Sequence, residues 1–386
     1  MTMLQSDNQY SKLRWLLTIV GLVLYAADIG TDIRLAVRYF QEQHYVWCGL
    51  TLMFILVGLV VTQIFSCVWY WDDMNNDPIN PEIKPDISMC KIVVLHVFGL
   101  GIFTRIYFLL KKGWEVVWRT NHFMVEELRE EHHGLFCMAT DLSMLKLFEA
   151  FLESVPQLLL QLYVLLGHDE GSFTQYLSVT FSCFNVAWAL VDYRRCHRRS
   201  LPDITEMPSG IPTTIYLLYK LCTVGSLILS FSLLLTLSPY SAIAFTILWL
   251  LGTLWTHVLR TDFCSSRVLE LFYRAVVGVI LTFTFFNVKG RDTKVEMIIY
   301  YSTHCLIHFV ALLQLFLLKL EMLTIVKYLI VSALIIGGSV LGLVCLVLYY
   351  YLLHPREKSH IADEVDGVVT EKESGTSRRQ RNLQPW

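Results

Sequence analysis

Long apolar runs separated by short polar gaps dominate this chain. Ten of them reach the length a helix needs to cross or enter a bilayer, about 20 residues at 1.5 Å each. They cover residues 15–40, 46–71, 88–110, 141–167, 173–192, 213–237, 241–258, 268–287, 296–318 and 324–352. Each predicts a helix, because hydrocarbon leaves a lone segment no other way to satisfy its backbone N–H and C=O groups.

Basic residues between the runs orient them. Lys12 and Arg14 put the N-terminus in the cytosol, as do the basic residues of the expected loop Tyr193–Arg199, those at Lys289, Arg291 and Lys294, and those at Lys111, Lys112 and Arg119. If every segment crossed, Lys111, Lys112, Arg119 and the connector 114–140 would face outward. The conflict vanishes if 88–110 enters and leaves on the cytosolic side, with Gly99-Leu100-Gly101 as the place of reversal. Segment 268–287, between Arg267 and Lys289, follows the same logic. The expectation is an all-α polytopic membrane protein with eight transmembrane helices, two re-entrant segments and both termini cytosolic.

Span, span, re-entrant, span, span then occurs twice, which predicts two pseudo-symmetric repeats, 15–192 and 213–352. A cytosolic N-terminus (1–14) precedes them. A basic linker, 193–212, with Pro202, Pro208 and Pro212 joins them, and a polar tail, 353–386, follows His354-Pro355.

Composition agrees with a membrane protein: 55% hydrophobic, 17% charged, mean hydropathy +0.51. A net charge of −2 with no long basic stretch argues against a nucleic-acid partner. The ten cysteines are scattered, with no Cys-x-x-Cys pair and no Cys/His cluster at ligand spacing, so no metal is expected. His132-His133 falls in the charged connector, and His304 and His308 are one turn apart in a span. Without a Gly-x-x-x-x-Gly-Lys-Ser/Thr loop or any catalytic constellation, neither a cofactor nor an enzymatic activity is expected.

Charge inside the apolar runs is the more specific signal, since each such residue costs a few kcal/mol at the bilayer centre. Asp28 and Asp32 share one face of the first helix. Glu149, Glu153, Gln157 and Gln161 recur every fourth residue, with Lys146 one turn earlier and Pro156 interrupting. Arg105 and Arg274 fall in the two re-entrant segments, and Asp192 and Lys220 lie near span ends, where Lys220 can snorkel. These charges can pair and hold a bundle together, or line a hydrophilic path; the two roles can coexist. A secondary transporter or channel for a small polar solute would use the same features.

The tail holds Asp363-Glu364-Val365-Asp366-Gly367. Two aspartates bracketing a tetrapeptide, followed by glycine in an accessible segment, match what an executioner caspase cuts, here after Asp366. The alternative is an acidic cluster arising by chance.

The block Asp141–Tyr163 (DLSMLKLFEAFLESVPQLLLQLY) resembles the signature of the Xk-related membrane proteins. Phe103-Thr104-Arg105, Ser200-Leu201-Pro202-Asp203, Phe272-Tyr273-Arg274, Phe285-Phe286-Asn287 and Leu353-His354-Pro355 extend the likeness over residues 12–356. A short tail with a caspase motif is similar to the small, caspase-activated members. The resemblance implies a phospholipid scramblase of the plasma membrane that moves phosphatidylserine between leaflets without ATP. It also implies eight spans with two partial insertions, and a C-terminal segment that occupies a cytosolic cavity until proteolysis frees it. Some members need a single-span immunoglobulin-type partner. Carried over by motif, Asp28, Asp32, Arg105, Lys146, Glu149 and Glu153 form the charged interior.

Overall fold

The computed structural model describes residues 10–76, 87–118, 125–167, 173–200, 210–261, 263–264, 266–287, 294–318 and 325–353. These are helices joined by short turns, with no strand among the described residues. They cluster into two units, residues 10–149 with 192–200, and residues 150–191 with 210–353.

The first unit begins at Ser11, whose hydroxyl accepts from the Arg14 backbone N–H at 3.2 Å and caps α1 (Lys12–Gln41). A tight turn with Gln43 at φ +62° leads into α2 (Tyr45–Asn76). The segment expected to reverse at its glycines is two helices, α3 (Met89–Val97) and α4 (Gly101–Trp118). Gly99 has φ +75°, a conformation that side chains other than glycine's disfavour. Gln63 of α2 spans the break: its amide nitrogen donates to the Gly99 carbonyl at 3.3 Å, and its carbonyl accepts from the Gly101 N–H at 2.8 Å. Groups that the break removes from the helical ladder are thus satisfied by one side chain.

Helix α5 (Val125–Glu149) continues through a π-helical turn, Ala150–Ser154, into α6 (Val155–Gly167). The helix thus starts well before residue 141, and the expected connector holding His132-His133 is part of it. Pro156 explains the π-turn, since its ring cannot abut a carbonyl four residues back and it has no N–H to give. An every-fourth spacing drifts by about 40° per step around an α-helix. The wider π-turn steps back against that drift.

Helix α7 (Phe173–Ser200) overturns the loop expected at Tyr193–Arg199: these residues are the end of the helix. Arginine and histidine do not break helices, and the first proline comes only at 202. Arg194 and Arg198 are each only 2% exposed, so this basic stretch does not mark a solvated loop.

The second unit adds α8 (Ile211–Leu237), α9 (Ser241–Val258), α10 (Arg267–Phe283), α11 (Lys294–Leu317) and α12 (Ile325–Leu348), closed by a π-turn at Tyr349–Leu353. Helices α8 and α12 approach where Gly342 faces Thr223; a Cβ on that glycine would fall 2.7 Å from the Thr223 methyl. Small residues let apolar helices pack this closely when no hydrophobic effect drives them together.

Seven helices among the described residues are long and apolar enough to cross a membrane: Lys12–Gln41, Tyr45–Met74, Glu131–Gly167, Ile211–Leu237, Ser241–Val258, Lys294–Leu317 and Lys327–Leu353. They cover seven of the eight expected spans. Helix α7, over the eighth, is too polar to join them, and α3, α4 and α10 are too short or too charged. The chain is a multi-pass membrane protein.

The Gly99–Gly101 break yields a stability prediction. A Cβ at Gly101 would fall 2.3 Å from Gln63 Oε1 and 2.5 Å from His96 Cδ2, whereas one at Gly30 meets nothing within 4 Å. Gly101→Ala is expected to destabilise the protein by about 1–3 kcal/mol, and Gly30→Ala to leave it unchanged. Thermal unfolding of both variants in detergent, followed by monodispersity, checks this.

Candidate functional site

Helices α1 and α5 bring four of the sequence-selected charges together. Asp28 and Asp32 lie one turn apart on α1, and Lys146 and Glu149 one turn apart on α5. Glu149 accepts a hydrogen bond from Tyr25 and lies within electrostatic reach of Asp28, Lys146 and Asp32. Asp32 and Tyr25 are buried; Asp28, Lys146 and Glu149 are half-buried. The Lys146 ammonium lies over Gly21, where a Cβ would come within 3.0 Å of Nζ. One ammonium and three carboxylates therefore belong to one group carried by α1 and α5. A group so placed can hold a polar ligand or brace two helices.

Arg105 has a different set of partners. Its Nε donates to Ser66 Oγ at 2.8 Å, Nη2 to the Ser66 carbonyl at 3.0 Å, and Nη1 to Asp141 Oδ2 at 3.3 Å. The guanidinium also lies 4.1 Å from the centroid of Tyr70. His96 completes the set, with Nδ1 2.7 Å from the Ile92 carbonyl and Nε2 2.9 Å from Ser66 Oγ. The carbonyl contact requires the proton on Nδ1, so the serine hydroxyl donates to Nε2 and accepts from Arg105. This network ties α4 to α2, α3 and α5. Nothing local in the sequence marks Ser66 or His96 as partners of Arg105, and Asp141 is marked only as the first residue of the Asp141–Tyr163 block.

In the second unit Glu153, on the π-turn, and Gln157, on α6, are buried, and Gln161 is half-buried. Arg274 of α10 repeats the chemistry of Arg105 with other residues. It donates through Nε to Thr261 Oγ1 at 2.9 Å and to Glu270 Oε1 at 3.3 Å, and through Nη1 it is 2.8 Å from His257 Nδ1. Glu270 Oε2 in turn accepts from the backbone N–H groups of Phe263 and Cys264, at 2.9 and 2.8 Å. Lys220 does not snorkel. It is 4% exposed, and Nζ donates to Thr284 Oγ1 at 2.8 Å and to the Phe285 carbonyl at 3.3 Å, just past the end of α10. A cation there complements the negative helix terminus. His304 and His308 are buried, His308 Nδ1 lying 2.7 Å from Ser230 Oγ. No group of three or more His, Cys, Asp or Glu among the described residues could hold a metal ion.

The basic end of α7 packs in the first unit. Arg14 and Arg199 both lie over the Phe136 ring, at 5.0 and 4.9 Å from its centroid. The Tyr10 backbone N–H donates to His132 Nδ1 at 3.0 Å, and Lys112 pairs with Glu131 at 2.9 Å. Burial, with Arg198 alongside, pulls His197 down to about 4, and burial pushes the Tyr10 hydroxyl up to about 12. The cleavage motif Asp363, Glu364, Val365, Asp366 and Gly367 lies outside the described residues.

The profile of one protein family, described as XK-related protein, matches residues 16–355. The chain is 57% identical over 364 residues to XK-related protein 9 of Tetraodon nigroviridis, covering 94% of this chain and 96% of that one. It is 28% identical to XK-related protein 8 of the same fish over 91% of this chain and 85% of the relative. It is 32% identical to XK-related protein 8 of Pan troglodytes, over 74% and 70% respectively. A profile match running through the apolar helices and both arginine networks, together with relatives aligned over most of their length, places this chain in the XK-related family.

Proposed function

We propose that this chain is a phospholipid scramblase of the plasma membrane, switched on by an executioner caspase that cuts after Asp366. Supporting this reading are the family, the acidic tail motif and, above all, the charged group Asp28, Asp32, Lys146 and Glu149 held between α1 and α5. A headgroup entering hydrocarbon loses its water, as a charged side chain would. Side chains that accept and donate hydrogen bonds at that depth can replace the lost water while the acyl chains stay in lipid. No step in such a path needs ATP. Its substrates are membrane phospholipids, phosphatidylserine among them, and exposure of that lipid would mark an apoptotic cell for engulfment.

Eight spans and two re-entrant segments, with both termini cytosolic, would put the tail where caspases act. A tethered tail has an effective concentration on the order of mM for any site it touches. Cutting after Asp366 frees the last 20 residues, 367–386, and removes that advantage. A single-span immunoglobulin-type partner for surface delivery also belongs to this proposal.

Two experiments follow. Asp366→Ala is expected to abolish phosphatidylserine exposure after an apoptotic stimulus, read by annexin staining at matched surface expression; normal exposure would refute the switch. In vesicles holding purified, cut protein, dithionite should bleach fluorescent lipid of both leaflets, and Glu149→Gln with Glu153→Gln should slow that exchange by about tenfold, as expected for loss of charged hydrogen-bond partners. Flux of a small polar solute without lipid exchange in the same vesicles would favour a transporter instead. Loss of folded protein in the double variant would assign the two glutamates to holding the bundle together.

A further inference from the structure

Helix α4 has two unlike faces. Ile102, Ile106, Leu109, Gly113 and Val116 recur every third or fourth residue and are buried. On the other side Tyr107, Lys111, Trp114 and Trp118 recur at the same spacing, and each is exposed. Trp114 and Trp118 are 44% and 42% exposed, and they stack with ring centroids 5.4 Å apart and planes at 23°.

Helix α1 completes this face. Trp15 packs against both rings, at 5.6 and 5.9 Å, and its indole N–H donates to the Leu110 carbonyl at 3.0 Å, which fixes its position. The Lys12 ammonium lies 4.7 Å from the centroid of Trp118. The ring quadrupole holds a cation there, yet the ammonium keeps N–H donors for an anion. Lys111 lies two helical turns, about 10 Å, before Trp118 on the same stripe. Glu115 is exposed beside it and brings one opposing charge, which Lys12 and Lys111 outweigh.

An exposed aromatic and basic face on a helix too polar to span is suited to the boundary between lipid headgroups and water. Indoles favour that boundary, and lysines there attract anionic lipid. We infer that Lys12, Trp15, Lys111, Trp114 and Trp118 form a docking site for the headgroup of an anionic phospholipid. Its phosphate meets the lysine ammoniums, and its glycerol region lies against the indoles. The site is separate from the group around Glu149 and does not require that lipid cross the protein.

The test uses the full chain in phosphatidylcholine vesicles with a small fraction of phosphatidylserine or phosphatidylcholine brominated near the glycerol end of its acyl chains. The fluorescence difference between the natural protein and Trp114→Phe/Trp118→Phe isolates these two indoles. Brominated phosphatidylserine is expected to quench them at severalfold lower mole fraction than brominated phosphatidylcholine. Lys12→Gln and Lys111→Gln should each weaken that preference about fivefold. Equal quenching by the two lipids, or a preference that survives loss of both lysines, would overturn the proposal and leave a plain aromatic anchor. Both lysines are exposed, so if the double tryptophan variant fails to fold, total tryptophan quenching in the lysine variants decides the question.

Discussion

A charge placed in an apolar helical segment has to find polar partners within the protein, because hydrocarbon supplies none. Arg105 shows the consequence most fully. Its guanidinium is met by Ser66 on α2 and Asp141 on α5, while His96 on α3 takes the serine hydroxyl. Four helices thus converge on one cation. Removing one partner would leave a buried charge uncompensated, a far larger loss than the small net worth of the intact pair. Arg274 in the second unit meets the same demand with Thr261, Glu270 and His257. A hydroxyl and a carboxylate meet both arginines, while an imidazole meets Arg274 directly and Arg105 only through Ser66.

The same demand shapes the backbone. Where α3 gives way to α4, Gln63 supplies the donor and the acceptor that a broken ladder lacks. Before Pro156, the chain instead widens by a π-turn and stays helical. One device ends a helix; the other carries it past an obstacle. The proposed lipid path depends on the second, because only a helix that continues can hold a polar stripe over that length.

Much of this was legible in the chain itself. The apolar runs gave the helices, the glycines at 99 and 101 marked the break, and the spacing of Asp28, Asp32 and Glu149 singled out residues that the fold gathers. Legibility failed where a residue's surroundings come from far along the chain. The arginines after Tyr193 read as a solvated loop because charge is ordinarily exposed. Arg199 instead lies over Phe136, and Cys196 packs in a cluster with Tyr10 and Phe136, all more than 50 residues away. Lys220 misled in the same way: its partners, Thr284 and Phe285, follow it by 64 and 65 residues.

The amino-acid sequence alone determined that this is an all-helical membrane chain of the XK-related kind, which stretches are apolar enough to span, and which of them carry charge. These properties follow from composition and periodicity over one or two dozen residues, the range over which a helix satisfies its own backbone. Only the tertiary structure decided which charges meet. It set Asp28, Asp32, Lys146 and Glu149 together, gave Arg105 to Ser66 and Asp141, and turned the basic stretch after Tyr193 into a buried helix end. An ion pair depends on distance in space, and local pattern leaves that distance open until the helices have packed.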